Sequence, residues 1–199
     1  MKSISKIIYI ATKNKDRFKN MVESLRLINK NIKLRSINRY MPEYKETGKN
    51  SKENAKLKAK YYFIFKKNNL ITEDDSIYFN NLPKEKQPGH LIKNFIQSIG
   101  KSQKKWKKFF SEYKIKKGKI IKYFCFISSE NKKIKCCKVE IPFVLKIISP
   151  IKKLSNFLNN FIIPIGFHNT LTQMSKKEKI AFRKKYITPV LKKLLKNLI

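Results

Sequence analysis

Residues 46–76 read ETGKNSKENAKLKAKYYFIFKKNNLITEDDS, and this stretch decides the fold. Glu46 stands just ahead of a Thr-Gly turn. Ser51 is the expected N-cap of a helix running to about residue 67, with Glu53 in its first turn, where an acid is favoured. Leu70-Ile71-Thr72 and Ile77-Tyr78-Phe79 read as strand. The cluster Glu73-Asp74-Asp75 is then expected where the first of these runs out. Two acid sites joined by a helix and a strand, ringed by cations, are what a divalent metal and a phosphate ester require. Phosphoryl transfer or phosphoanhydride cleavage is therefore the leading implication. Taken alone, the acidic run reads more readily as a solvated turn than as a site.

Upstream, Ile7-Ile8-Tyr9-Ile10-Ala11 is a short continuous apolar run, the pattern of a strand buried on both faces. Thr12-Lys13-Asn14-Lys15 follows as a polar loop, and a helix begins near Asp16, with Phe18, Met21, Val22, Leu25 and Ile28 on one face. Free backbone N–H groups and the helix dipole make that loop an anion site. Thr12 and Asn14 supply hydrogen bonds, and Lys15 and Arg17 supply charge. The loop has no glycine-rich phosphate pattern, so a purely solvated loop stays open as the alternative. Residues 32–37 read as a second strand.

Downstream, Leu91, Ile92, Phe95, Ile96 and Ile99 form a helical stripe ended by Gly100. Trp106, Phe109, Phe110 and Tyr113 form another, at the spacing of core packing rather than base stacking. Residues 119–128 and 133–140 flank Ser129-Glu130-Asn131 as a hairpin. Pro142 makes 143–148 an edge strand or a fresh start. Ser175-Lys176-Lys177-Glu178 is a capping box, and Pro189 should kink or split the helix it opens. Strands and helices interleave without a repeat or a low-complexity linker, so the class is α/β. A chain of 199 residues suits one domain, 1–199, with room for two lobes.

Forty-eight Lys and Arg stand against 13 Asp and Glu, a formal charge of +35. Such a charge points to an anionic partner. It is also what an AT-rich coding sequence gives, since Lys, Asn, Ile and Phe are abundant and Gly is scarce. The lysines spread along the whole chain, so nucleic acid would be met only through non-specific charge. The three cysteines make no C-x-x-C and no Cys/His pair, which excludes a zinc site and a disulfide framework; they are expected as small apolar strand residues. Met1-Lys2-Ser3-Ile4 leads straight into a strand, and no apolar run is long enough to span a bilayer. A cytoplasmic, reducing setting without a membrane partner is expected. His90 and His168 are expected on the surface.

Three blocks, IYIATKNKDRF (8–18), ETGKNSKENAKLKA (46–59) and EDDSIYFNNL (73–82), occur in the order of the motifs of the inosine/xanthosine triphosphate pyrophosphatase family. They resemble its ATxNxxK, its E-x-G-x4-E-N-A-x-x-K-A and its acidic pair followed by a small residue. Pro88-Gly89 and PIGFHNTLTQMSKKEK (164–179) resemble its later motifs. The resemblance implies an elongated mixed β-sheet flanked by helices, two lobes with a central cleft, and a homodimer. It implies Mg2+-dependent hydrolysis of ITP, dITP or XTP to the monophosphate and pyrophosphate, cleansing the nucleotide pool.

Carried over residue by residue, Glu46 resembles a metal-coordinating acid, Asp74 the general base that also meets the metal, and Glu73 its partner acid. Thr12, Asn14, Lys15 and Arg17 fall in the triphosphate loop, with Arg17 at a usual lysine. Lys58 matches the helix lysine that meets the phosphates, and Lys179 a phosphate- or base-contacting lysine. Asp75 stands where the family has Ser or Thr, which also leaves a register shifted by one residue open. Leu158 and Asn159 stand at the aromatic and the aspartate of the base-recognition loop. Arg183-Lys184-Lys185 replaces Ser-His-Arg, so Lys184 and Lys185 keep charge without the arginine fork. These departures bear on the base, and they motivate a second reading: a degenerate relative with altered base specificity, or an inactive polyanion binder.

Overall fold

The computed structural model describes residues 7–37, 40–147 and 157–196. The apolar run at the N-terminus forms β1 (Ile7–Ile10), parallel to β2 (Lys33–Ser36) in the register Ile7↔Lys33 to Ile10↔Ser36. On its other side β1 pairs, also parallel, with β3 (Leu70–Phe79) through Tyr9↔Leu70 and Ile10↔Ile71. β4 (Lys117–Ile127), β5 (Ile134–Leu145) and β6 (Ile162–Pro164) complete a six-stranded mixed sheet in the order β2-β1-β3-β4-β5-β6. β5 and β6 are antiparallel. The expected mixed sheet with flanking helices is present.

Helix α1 (Lys15–Arg26) crosses between β1 and β2. Asn14 caps it by accepting the Arg17 N–H, with Asp16 in the first turn and Arg26 in the last, each matching the dipole. Helix α2 (Ser51–Lys66) precedes β3. Its N-cap is Asn50 rather than Ser51: the Asn50 carboxamide reaches the Glu53 N–H at 3.0 Å, and Ser51 lies inside the helix. Lys67, at φ 48°, ends it in the left-handed region.

Three further expectations are corrected. Glu73, Asp74 and Asp75 do not end a strand: β3 runs through them as one ten-residue element. The charges of Glu73 and Asp74 are met inside the sheet by cations on α1, α2 and β4. Pro142 neither ends nor begins a strand. β5 passes through it, and its carbonyl accepts the Ile165 N–H at 2.9 Å, so the ladder is kept without a proline donor. Cys125 and Cys136 form a disulfide, eleven residues apart, with Cα atoms 4.1 Å from each other. The hairpin turn places them side by side, a register that cysteine spacing alone leaves open. Cys137 is free.

The chain divides into two compact units. The first comprises residues 1–74, 122–139 and 182–199. Its core packs Ala11, Ile37, Ala55, Ala59, Tyr62, Leu70, Cys125 and Ile127 together. Its C-terminal helix α6 (Thr188–Leu195) follows a π-helical turn at Arg183–Ile187. That turn follows α5 (Lys176–Phe182), so the helix expected after the capping box is split just ahead of Pro189.

The second unit comprises residues 75–121 and 140–181. Its core is aromatic. Trp106, on α4 (Gln103–Glu112), lies within 6.2 Å centroid to centroid of Phe95, Phe109, Phe110, Phe157 and Phe161, with Phe95 coming from α3 (Ile92–Ile99). The Trp106 indole N–H donates to the Gly100 carbonyl at 2.7 Å, satisfying the polar atom that accompanies so large an apolar ring. Trp106 and Phe110 are core, as their spacing implies, while Phe95, Phe109 and Tyr113 are half-buried around them. Residues 1–4, the end of the 143–148 strand and the 154–156 part of the base-recognition loop lie outside the described residues. Among those described, no helix is long and apolar enough to cross a membrane.

Candidate active site

The first unit gathers the acids on the helix-and-strand pair α2–β3. Thr72 Oγ donates to the Ala55 carbonyl at 2.7 Å, which fixes β3 against α2. Asp74, two residues on, faces the same way, and Lys58 lies one turn along α2 from Ala55. The Lys58 ammonium stands 3.2 Å from Glu46 Oε1 and 3.9 Å from Asp74 Oδ1. It also donates to the Glu73 carbonyl at 3.5 Å. Lys58 and Asp74 are buried, whereas the Glu46 side chain is 41% exposed. Two carboxylates therefore flank one ammonium at the edge of a buried site.

Glu46 is placed by the turn that follows it. The Gly48 N–H donates to Asn54 Oδ1 at 2.7 Å, deep in the unit. A side chain at position 48 would stand 2.6 Å from that oxygen. Asn54 itself is completely buried. Sequence reasoning does not single it out, although an Asn in the opening turns of a helix, where it is a poor former, is a usable signal.

The α1 N-terminus brings a second cation to the acids. Arg17 Nε lies 4.0 Å from Glu73 Oε1, and its Nη1 4.0 Å from Asp74 Oδ1. Asn14 spends its side-chain oxygen on the Arg17 N–H and donates its own N–H to Thr12 Oγ at 3.2 Å. Lys15 is exposed beside them. The expected phosphate loop thus sits on the same helix terminus as an arginine already turned to the acids.

Lys122 on β4 completes the cluster, and sequence reasoning missed it. Its ammonium is 3.2 Å from Glu73 Oε2. Only the pairing of β4 beside β3 brings the two together, and no motif signals it.

Asp75, Asn159 and Lys179 belong to the second unit. Asp75 is half-buried. The Asn159 carbonyl accepts the Thr172 N–H at 3.2 Å, and Lys179 is exposed on α5. Lys184 and Lys185 are exposed on the π-helical turn of the first unit, Lys185 with its ammonium 5.3 Å over the Tyr186 ring. Arg183, at the same turn, is buried and bonds Asn20 Oδ1 at 2.9 Å and the Glu23 carboxylate. It ties the turn to α1. His168 is exposed and His90 half-buried.

The donor set suits a hard divalent cation. Glu46 and Asp74 offer carboxylate oxygens around a point already held by a cation. Mg2+ commonly takes one or two carboxylates and fills its remaining positions with water and phosphate oxygens. Among the described residues no three of His, Cys, Asp and Glu gather closely enough to hold a metal by themselves. Glu73 is turned to Lys122 and Arg17.

Comparison with known proteins agrees with this fold. The sequence model of the Ham1 family matches residues 8–193. A HAM1 protein from Coxiella burnetii has a similar structure, with a TM-score of 0.71 at 16% identity, over 96% of this chain and 98% of that one. A nucleoside-triphosphatase / dITP/XTP pyrophosphatase from Mycobacterium abscessus gives 0.64 at 14% identity, over 95% and 98%. The Ham1 protein of Staphylococcus aureus gives 0.62 at 18%, over 87% and 89%. No curated protein matches in sequence.

Proposed function

The chain belongs to the Ham1 family, and from that premise we propose that it is a nucleoside triphosphate pyrophosphatase. It hydrolyses non-standard purine nucleoside triphosphates, ITP, dITP and XTP, to the monophosphate and pyrophosphate. The observation that carries this reading is the convergence of Glu46, Asp74 and Lys58 beside an arginine from a helix N-terminus. The Mycobacterium abscessus protein of the same fold, named a dITP/XTP pyrophosphatase, supports the substrate class.

In this proposal the triphosphate lies along the α1 terminus, where Thr12, Asn14 and Lys15 bind it and Arg17 turns its fork to the phosphates. Asp74, 4% exposed, accepts the proton of the attacking water. Lys58 and Arg17 stabilise the charge that builds on the departing pyrophosphate. Glu46 and Asp74, with Glu73 beside them, would hold Mg2+, whose chemistry when bound is withdrawal of negative charge from the phosphate oxygens. Asp75, Asn159, Lys179, Lys184 and Lys185 are proposed to contact the substrate's base or phosphates. The whole chain acting as one domain, as a homodimer in the cytoplasm, is part of the same proposal.

The test is product analysis after incubation with ITP, dITP, XTP and ATP and Mg2+ at alkaline pH. The expected products are monophosphate and pyrophosphate, with ATP turned over more slowly. Release of orthophosphate and a diphosphate, or no turnover of any of the four, contradicts the proposal.

A further inference from the structure

Glu73 is buried, yet cations approach its carboxylate from two elements. Lys122 of β4 holds Oε2 at 3.2 Å, while Arg17 of α1 stands 4.0 Å from Oε1. The two cations differ in commitment. The Lys122 side chain is 18% exposed, with its ammonium 5.8 Å over the Phe124 ring of the same strand. The Arg17 side chain is 34% exposed, and its guanidinium stands 4.0 Å from Glu73 and 4.0 Å from Asp74. A buried carboxylate is strongly destabilised when its last counter-ion leaves.

We infer that Lys122 is a positioning residue: it is the standing counter-ion of Glu73, and it releases Arg17 from Glu73 to bind the phosphates of an anionic ligand. This rests on the pyrophosphatase reading for the identity of that ligand, but its energetic logic belongs to the cluster. Arginine is the better phosphate ligand because its planar fork makes paired hydrogen bonds. It sits at a helix N-terminus, where phosphates are received. Were it the sole partner of Glu73, each binding event would strand a buried charge. Lys122 removes that penalty without touching the ligand. Lacking Lys122, Glu73 draws Arg17 inward and phosphate affinity falls. Lacking Glu73 as well, only Asp74 is left to draw it, as it does in every variant of the series.

The experiment is a double-mutant cycle on the full chain, with inorganic tripolyphosphate as probe. Binding is measured by calorimetry in the absence of metal for wild type, Lys122→Met, Glu73→Gln and the double variant, with melting temperatures recorded alongside. Lys122→Met is expected to weaken binding about tenfold in the wild-type background and less than about twofold in the Glu73→Gln background. Lys122→Arg, which keeps the charge, is expected to stay within about threefold of wild type. Equal losses in both backgrounds would show that Lys122 meets the anion directly, and no loss in the wild-type background would show that Arg17 needs no release. Either result overturns the inference. If the methionine variant does not fold, Lys122→Gln takes its place under the same criteria. The cycle contains no turnover step, so a failed substrate panel with a coupled cycle refutes the pyrophosphatase reading alone. Turnover with an additive cycle refutes this inference alone.

Discussion

Gly48 has no room for a side chain. A Cβ there would stand 2.6 Å from Asn54 Oδ1 and 2.8 Å from the Asn54 nitrogen, and both are held in place by α2. Gly48→Ala must therefore push the turn outward and carry Glu46 away from Lys58. It is expected to lower ITP turnover by about tenfold or more, because small misplacements of positioning groups are costly. Its effect on stability should be about 1–3 kcal/mol, typical of overpacking. Steady-state kinetics beside a thermal melt checks both, and unchanged kinetics would remove Glu46 from the site. At this scale the sequence was informative where spacing along one element sufficed. Glu46 and Asp74 flank a helix-and-strand unit that the pattern of residues 46–76 implies, and the family resemblance adds Lys58 between them. Lys122 and Arg17 reach the acids from other elements, and no local pattern encodes that approach.

At the scale of elements, the capping box opening α5 is formed as its sequence implies. The Ser175 N–H donates to Glu178 Oε2 at 2.9 Å, and the Glu178 N–H donates to Ser175 Oγ at 3.2 Å. The Ser175 backbone N–H, then the Asn169 amide and the Ser175 hydroxyl, hold the Glu178 carboxyl below its ordinary value. A carboxyl lowered in the folded state adds stability above its unfolded pKa, and that contribution is lost as pH falls through the folded value. The melting temperature of Glu178→Gln should thus lie below wild type at pH 7, with the gap closing below about pH 4. A gap that persists at pH 3 would mean that the carboxylate charge is not its source. Helix caps and the break near Pro189 were legible because they depend on a few adjacent residues. The unbroken courses of β3 and β5 were not. Acids and a proline inside a strand defeat local propensity, and only the neighbouring cations and the Pro142 carbonyl's partner explain them.

For the whole molecule, the excess of 48 basic over 13 acidic residues sets a self-repulsion that salt screens. Melting temperature is expected to rise between about 0.01 and 0.15 M NaCl, as the Debye length contracts from about 30 to 8 Å. A flat or falling curve would mean that specific ion pairs outweigh the repulsion. The Cys125–Cys136 bridge closes a short loop, and a loop of that size is worth about 2–3 kcal/mol, so reductant should lower the melting temperature by several degrees. An unchanged melt would show that the bridge contributes nothing. The α/β class was readable from the interleaving of strands and helices and the mixed sheet from the family resemblance, whereas the disulfide depends on hairpin register. The role proposed for the carboxylates flanking Lys58 is hydrolysis of the phosphoanhydride. It is tested most directly by pyrophosphate release from ITP with Mg2+, comparing wild type with Asp74→Asn at matched melting temperatures. A loss of about a thousandfold or more is expected, on the scale of removing a general base that also holds the metal. Release at close to the wild-type rate would contradict it.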